Sequence, residues 1–177
     1  MAQSVELLLD PVADGVLRQE WEALAAAGLP SERRSTPSAH HRPHITLFAG
    51  DAIDGETDAV LPSAVAGLEL HLRVGSPLVF GPRGRHRGSY VLVRQVVPSL
   101  ELLDLQRRVA SVCAADETGQ FGPGRWSPHV TLARRLAAEQ VGRALPVLGR
   151  EGGTDLEVHV TVCRRWDGTA KKAWSLT

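Results

Sequence analysis

Lysine is almost missing from this chain. Of 20 basic residues only Lys171 and Lys172 are lysines, and the rest are arginines. Arginine suits bidentate phosphate recognition, although compositional bias alone produces the same ratio. Net charge is missing too, since 20 acidic side chains balance the basic ones. That argues against a protein that grips long nucleic acid by bulk charge. Cysteine is limited to Cys113 and Cys163, without C-x-x-C spacing, so neither a disulfide scaffold nor a zinc site is indicated. No run of 18 apolar residues occurs and no secretory leader is legible, so no membrane contact is expected and the cytoplasm is the default compartment.

What remains is an ordinary soluble composition, 43% apolar and 23% charged over 177 residues. This is enough for a real core, most simply in one domain, 1–177, with room for two halves, and a monomer is the expectation. Ser4–Leu9 reads as a strand. Asp10-Pro11 opens a helix whose stripe is Val16, Leu17, Trp21, Leu24 and Ala25, with Glu20 off the stripe, and Gly28-Leu29-Pro30 ends it. Ser31–Arg42 is a polar loop. A short helix is predicted near Leu61–Ala66, then an alternating strand over Leu68–Val74 and strand-like runs over Pro77–Phe80 and Ser89–Val97. Pro98-Ser99 opens a helix with Leu102, Leu105, Val109, Val112 and Cys113 on its apolar side. Leu136–Leu148 reads as helix, Leu156–Val162 as one alternating strand, and Ala173–Leu176 as a last strand. Strands clustered in this way point to an α+β fold with antiparallel sheets rather than a doubly wound parallel one.

One five-residue stretch occurs twice. Pro43-His44-Ile45-Thr46-Leu47 and Pro128-His129-Val130-Thr131-Leu132 differ by a single Ile/Val exchange, with their histidines 85 positions apart. His-x-Thr alone is a weak signal in a chain with seven histidines and nine threonines. The matched pentapeptide is not. Each copy has strand composition with proline at the permitted first position. Alternation then sends His44 with Thr46, and His129 with Thr131, to one face and the apolar residues to the other. Two imidazoles suit proton transfer near neutral pH. Two hydroxyls beside them can hydrogen-bond phosphate oxygens, and Arg134, at the end of the second motif strand, is the nearest cation for developing charge. In-line displacement at a phosphodiester would need no metal and no cofactor on this reading.

The paired motifs resemble those of the 2H phosphoesterase superfamily, in its 2′-5′ RNA ligase-like branch. The resemblance implies a two-lobed, pseudo-twofold α+β fold with antiparallel sheets, helices outside and a central cleft. It implies 2′,3′-cyclic phosphodiesterase activity on RNA ends or small cyclic nucleotides, with reversible 2′-5′ ligation in some members. His44 and His129 would be the acid–base pair, and Thr46, Thr131 and Arg134 the phosphate binders. By analogy His129 would be the base and His44 the acid in hydrolysis, an assignment the residues themselves do not fix. A non-catalytic RNA- or nucleotide-binding module with the same cleft is the rival.

Other features have two readings each. Arg83, Arg85, His86 and Arg87, in a glycine-rich connection, either close over a phosphate backbone or form a solvated hairpin tip. Trp126 either stacks on a base or packs as an ordinary aromatic. A third match, His159-Val160-Thr161-Val162, lacks the proline and reads as the exposed face of a strand whose Leu156, Val158, Val160 and Val162 point inward. His40, His41 and His44 do not read as a metal site, because Pro43 prevents the helix that His-x-x-x-His ligation uses.

Overall fold

The computed structural model describes residues 3–36, 38, 40–82, 89–150 and 155–177. Four helices and eight strands follow in the order β1 (Gln3–Leu8), α1 (Pro11–Ala26), β2 (His44–Gly50), α2 (Gly55–Ala64), β3 (Leu70–Phe80), β4 (Tyr90–Val96), α3 (Leu100–Val112), β5 (His129–Leu136), α4 (Ala138–Arg150), β6 (Leu156–Val160), β7 (Val162–Asp167) and β8 (Lys172–Ser175). Capping starts α1 and α3 as the sequence predicts. Asp10 Oδ1 accepts from the backbone of Val12 and Ala13 at 2.9 and 3.0 Å, and Ser99 Oγ accepts from Leu102 N at 3.2 Å.

All strand pairs are antiparallel, in one sheet of order β6-β3-β4-β5-β2-β1-β7-β8. The expected two antiparallel sheets are the halves of this one, β6-β3-β4-β5 and β2-β1-β7-β8. They meet where the two motif strands share a single registered pair, Ile45 with Val130. A second link closes the figure. In a flat sheet β6 and β7 would lie six strand spacings apart, about 29 Å. Yet only Thr161 separates them in sequence, a span of under about 8 Å. The sheet is therefore strongly curled, and the segment β6–Thr161–β7 runs from one lobe into the other.

Several boundaries differ from the sequence reading for identifiable reasons. Leu68–Val74 and Pro77–Phe80 are one strand, because the register shift between Val74 and Pro77 accommodates a proline that cannot donate to the ladder. The short helix begins earlier, at Gly55, where Asp54 Oδ1 accepts from Thr57 N at 2.7 Å. Leu136 ends β5 rather than opening α4. Leu156–Val162 is two strands, and Val162, expected inward, is 39% exposed because the chain changes lobes at Thr161.

The core lies on the helix side of the sheet. Val5, Leu7, Ile45, Leu47, Leu92, Val130 and Leu132 are fully buried there against Leu17, Leu24, Leu61, Leu102 and Val109 of the helices. One polar intrusion escapes a hydrophobic reading. Glu20 of α1 is 2% exposed and receives a hydrogen bond from Nη1 of fully buried Arg94 on β4, whose Nε donates to the Gly75 carbonyl at 2.5 Å. Both thiols are held neutral by burial, Cys113 pushed up to about 11 and Cys163 up to about 12. No helix among the described residues is long and apolar enough to cross a membrane.

Candidate active site

Alternation on β2 and β5 works as the sequence predicts: Ile45, Leu47, Val130 and Leu132 are buried in the core, and His44, Thr46, His129 and Thr131 are half-buried on the opposite face. Extending the Ile45–Val130 register by one residue each way sets His44 opposite Thr131 and Thr46 opposite His129. The four side chains form a pseudo-twofold set. The structure thus brings together all four motif residues.

Each imidazole is oriented identically. His44 Nδ1 lies 2.6 Å from the Arg42 carbonyl, and His129 Nδ1 lies 2.7 Å from the Ser127 carbonyl. A carbonyl only accepts, so Nδ1 carries the hydrogen in both rings and Nε2 is left for proton exchange. The acceptors are themselves fixed. The Arg42 side chain donates to Asp14 Oδ2 at 2.9 Å, and Arg18, bound to the other oxygen of Asp14 at 2.5 Å, also holds the His41 carbonyl. Beside Ser127, the Pro128 carbonyl accepts from Val96 N at 3.0 Å.

Tryptophans repeat the symmetry. Trp21 Nε1 donates to the Thr131 carbonyl and Trp126 Nε1 to the Thr46 carbonyl, both at 3.0 Å. Each motif strand is pinned by an indole from outside the sheet at the residue whose hydroxyl faces the cleft. The Trp126 ring packs partly buried against the core, so its N–H is committed to the scaffold. Trp21, read as core, is core and strut together.

The surroundings break the symmetry. Glu6 on β1, 4% exposed, points to the His44 side, with Oε1 3.7 Å from His44 Nε2. Ser4 Oγ donates to Oε1 at 2.6 Å, while Arg164 contacts Oε2 through Nε at 2.8 Å and Nη2 at 2.7 Å. Burial pushes the Glu6 carboxyl up, but His44 and Arg164, with the hydrogen bond from Ser4, more than offset this and hold it below its usual range. Glu6 stays an anion. His129 sits otherwise, with Phe80 edge-on at 4.9 Å between ring centroids. Burial, then Arg134 and His44, lower its pKa against the opposing pull of the Ser127 carbonyl.

Arg134 stands beside the second pair, its Nη2 3.4 Å from Thr131 Oγ1 and its Nε 2.9 Å from Glu32 Oε1. Glu32 is tied down in turn, its N–H donating to the Leu132 carbonyl and its carbonyl accepting from His41 Nε2 at 2.5 Å. His41 stacks on Trp21 at 5.1 Å. The loop that reads as merely polar therefore braces the cleft. Arg83, Arg85 and Arg87 lie outside the described residues. Glu6, Glu32 and Phe80 are the neighbours that sequence reasoning missed. Of these only Glu6 carried a signal, as the lone charge in Ser4–Leu9, on the strand face opposite Val5 and Leu7.

The 2′-5′ RNA ligase superfamily matches residues 13–168, so the chain belongs to that superfamily, as its paired motifs suggest. Solved structures agree in fold. Usb1 of Kluyveromyces marxianus superposes with a TM-score of 0.61 at 10% identity, covering 99% of this chain and 97% of that one. Its form with uridine monophosphate gives 0.55 at 12% identity, covering 99% and 97%. TT0787 of Thermus thermophilus gives 0.60 at 17% identity, covering 100% and 96%. Comparison with curated protein sequences gives no significant match.

Proposed function

We propose that this protein is a phosphodiesterase that opens 2′,3′-cyclic phosphates at RNA ends or in small nucleotides, using the two motif histidines and no metal. The observation that carries the reading is that two Nε2 atoms and two threonine hydroxyls share one face, each Nδ1 being committed to a carbonyl. His129, which burial and Arg134 keep neutral, takes a proton from water at Nε2 as the water oxygen attacks phosphorus. The bond from phosphorus to one ribose oxygen breaks, and protonated His44 gives its Nε2 proton to that oxygen. Glu6, a buried anion, lies 3.7 Å from the Nε2 atom that gives up this proton. Thr46, Thr131 and Arg134 donate to the non-bridging oxygens as charge builds on them. Ligation to a 2′-5′ linkage would use the same in-line displacement with a 5′-hydroxyl in place of water: that hydroxyl gives its proton to one histidine as its oxygen bonds to phosphorus, and the ribose 3′ oxygen leaves with a proton from the other. Zero net charge favours a terminal or small substrate over a long RNA.

The test is a turnover screen with 2′,3′-cyclic mononucleotides and cyclic-phosphate-ended oligonucleotides, with and without EDTA. Turnover insensitive to EDTA, with a bell-shaped pH profile, is the expected result. Binding across the panel without turnover would instead make the cleft a nucleotide-binding module.

A further inference from the structure

The third His-x-Thr segment takes no part in the cleft. His159 lies on edge strand β6, separated from β5 by β3 and β4. It is exposed, and in the β3–β6 register it stands directly opposite His71, also exposed. The two rings stack at 4.7 Å with 7° between their planes. Glu69 lies just ahead of β3, and its Oε1 is 3.6 Å from His159 Nε2. The other carboxylates along this stretch face a cation. Arg73 is registered opposite Glu157, and its Nε lies 3.4 Å from Asp155. Among the described residues, one ligand atom each from Glu69, His71 and His159 converges within 4.8 Å.

We propose that Glu69, His71 and His159 form a binding site for a borderline transition-metal ion of the Zn²⁺ class that staples edge strand β6 to β3. Two imidazoles and one carboxylate are the donor set that Zn²⁺, Co²⁺, Ni²⁺ or Cu²⁺ takes, whereas Mg²⁺ and Ca²⁺ want oxygen. Bonds of about 2 Å put ligand atoms up to about 4 Å apart, so closure needs about 1 Å of movement by exposed side chains. Water completes the shell on the open side. The backbone is already fixed for this purpose, because β3–β6 pairing runs from Leu70–Val160 to Val74–Leu156 and His159 N donates to Asp10 Oδ2 at 2.9 Å. An unclosed edge is the part of a sheet that most needs such reinforcement. The ion's place is structural, so it does not conflict with metal-free chemistry in the cleft.

Zn²⁺ alone is the probe, titrated calorimetrically into wild type, H71A, H159A, E69A and the H44A/H129A double variant, with thermal melts of each. One equivalent should bind wild type with micromolar Kd and raise its Tm by mass action. H71A and H159A should each weaken binding by about tenfold or more, and E69A by less. H44A/H129A should bind as wild type does. All three outer positions are exposed, and circular dichroism checks that the variants fold. Binding unchanged in H71A and H159A, binding lost in H44A/H129A, no binding by wild type at millimolar Zn²⁺, or equal competition by Mg²⁺ would each overturn the proposal.

Discussion

The two motif pentapeptides are nearly identical in sequence and unlike in surroundings. Both present an imidazole with Nδ1 tied to the carbonyl two residues earlier, and both have an indole on the threonine carbonyl. On β2, however, a buried anion held by Ser4 and Arg164 faces the imidazole. On β5 an aromatic edge and an arginine face it. Duplicated residues therefore supply two imidazoles oriented alike, and their neighbours make the two sides unequal. Acid–base catalysis in one direction needs that inequality, because two imidazoles in the same protonation state cannot both give and take.

The sharpest way to break the comparison is to remove each ring in turn. H44A and H129A should each lose about 10²–10⁴-fold in turnover while remaining folded. A substrate with an aryloxide leaving group, which needs no proton, should restore much of the rate to H44A and little to H129A. Equal rescue of both would show that the surroundings do not set the roles. R134A should lower kcat/KM by about 10–100-fold through loss of a charge-assisted contact to the phosphoryl oxygens.

E6Q sharpens the comparison by making the two sides more alike. It should slow turnover by about tenfold, because the anion 3.7 Å from His44 Nε2 is gone. In the pH–rate profile the acidic limb reports His129. It should lie below the ordinary imidazole value of about 6.5, since burial and Arg134 disfavour the imidazolium. The same depression has a sign for stability. The unfolded chain takes up a proton that folded His129 resists, so this contribution is complete above about pH 6.5 and is lost as pH falls from there through the lower folded value.

The smallest effects should come from the symmetric part. W21F and W126F each remove one N–H from a motif carbonyl and should cost about 1–3 kcal/mol in denaturant unfolding, with similar values for the two. A large difference between them would mean that the struts are not equivalent.

Much of this molecule is legible in the chain alone. The pentapeptides locate the four cleft side chains, alternation assigns their face, and Asp10 and Ser99 mark helix starts that the caps reproduce. Period-2 and period-3.6 patterns act over a few residues, which is why they can be read without coordinates. Glu20 and Arg94 are not legible, because each is polar in its own segment and becomes interior only when α1 lands on β4. The Leu156–Val162 run reads as one strand for a related reason: alternation continues through Thr161, while the sheet to which it belongs does not.

Sequence by itself determined the chemistry available here, namely two His-Thr pairs on strands with buried backs, since side-chain identity and local alternation need nothing from the rest of the chain. Tertiary structure decided that the pairs meet, through a single residue pair between two lobes, and that one imidazole faces Glu6 while the other faces Phe80 and Arg134. Those neighbours come from β1, β3 and the far end of β5, and only folding brings their charges within reach. Charge at a few ångströms, in a site half-closed to water, is what makes the two like strands unequal.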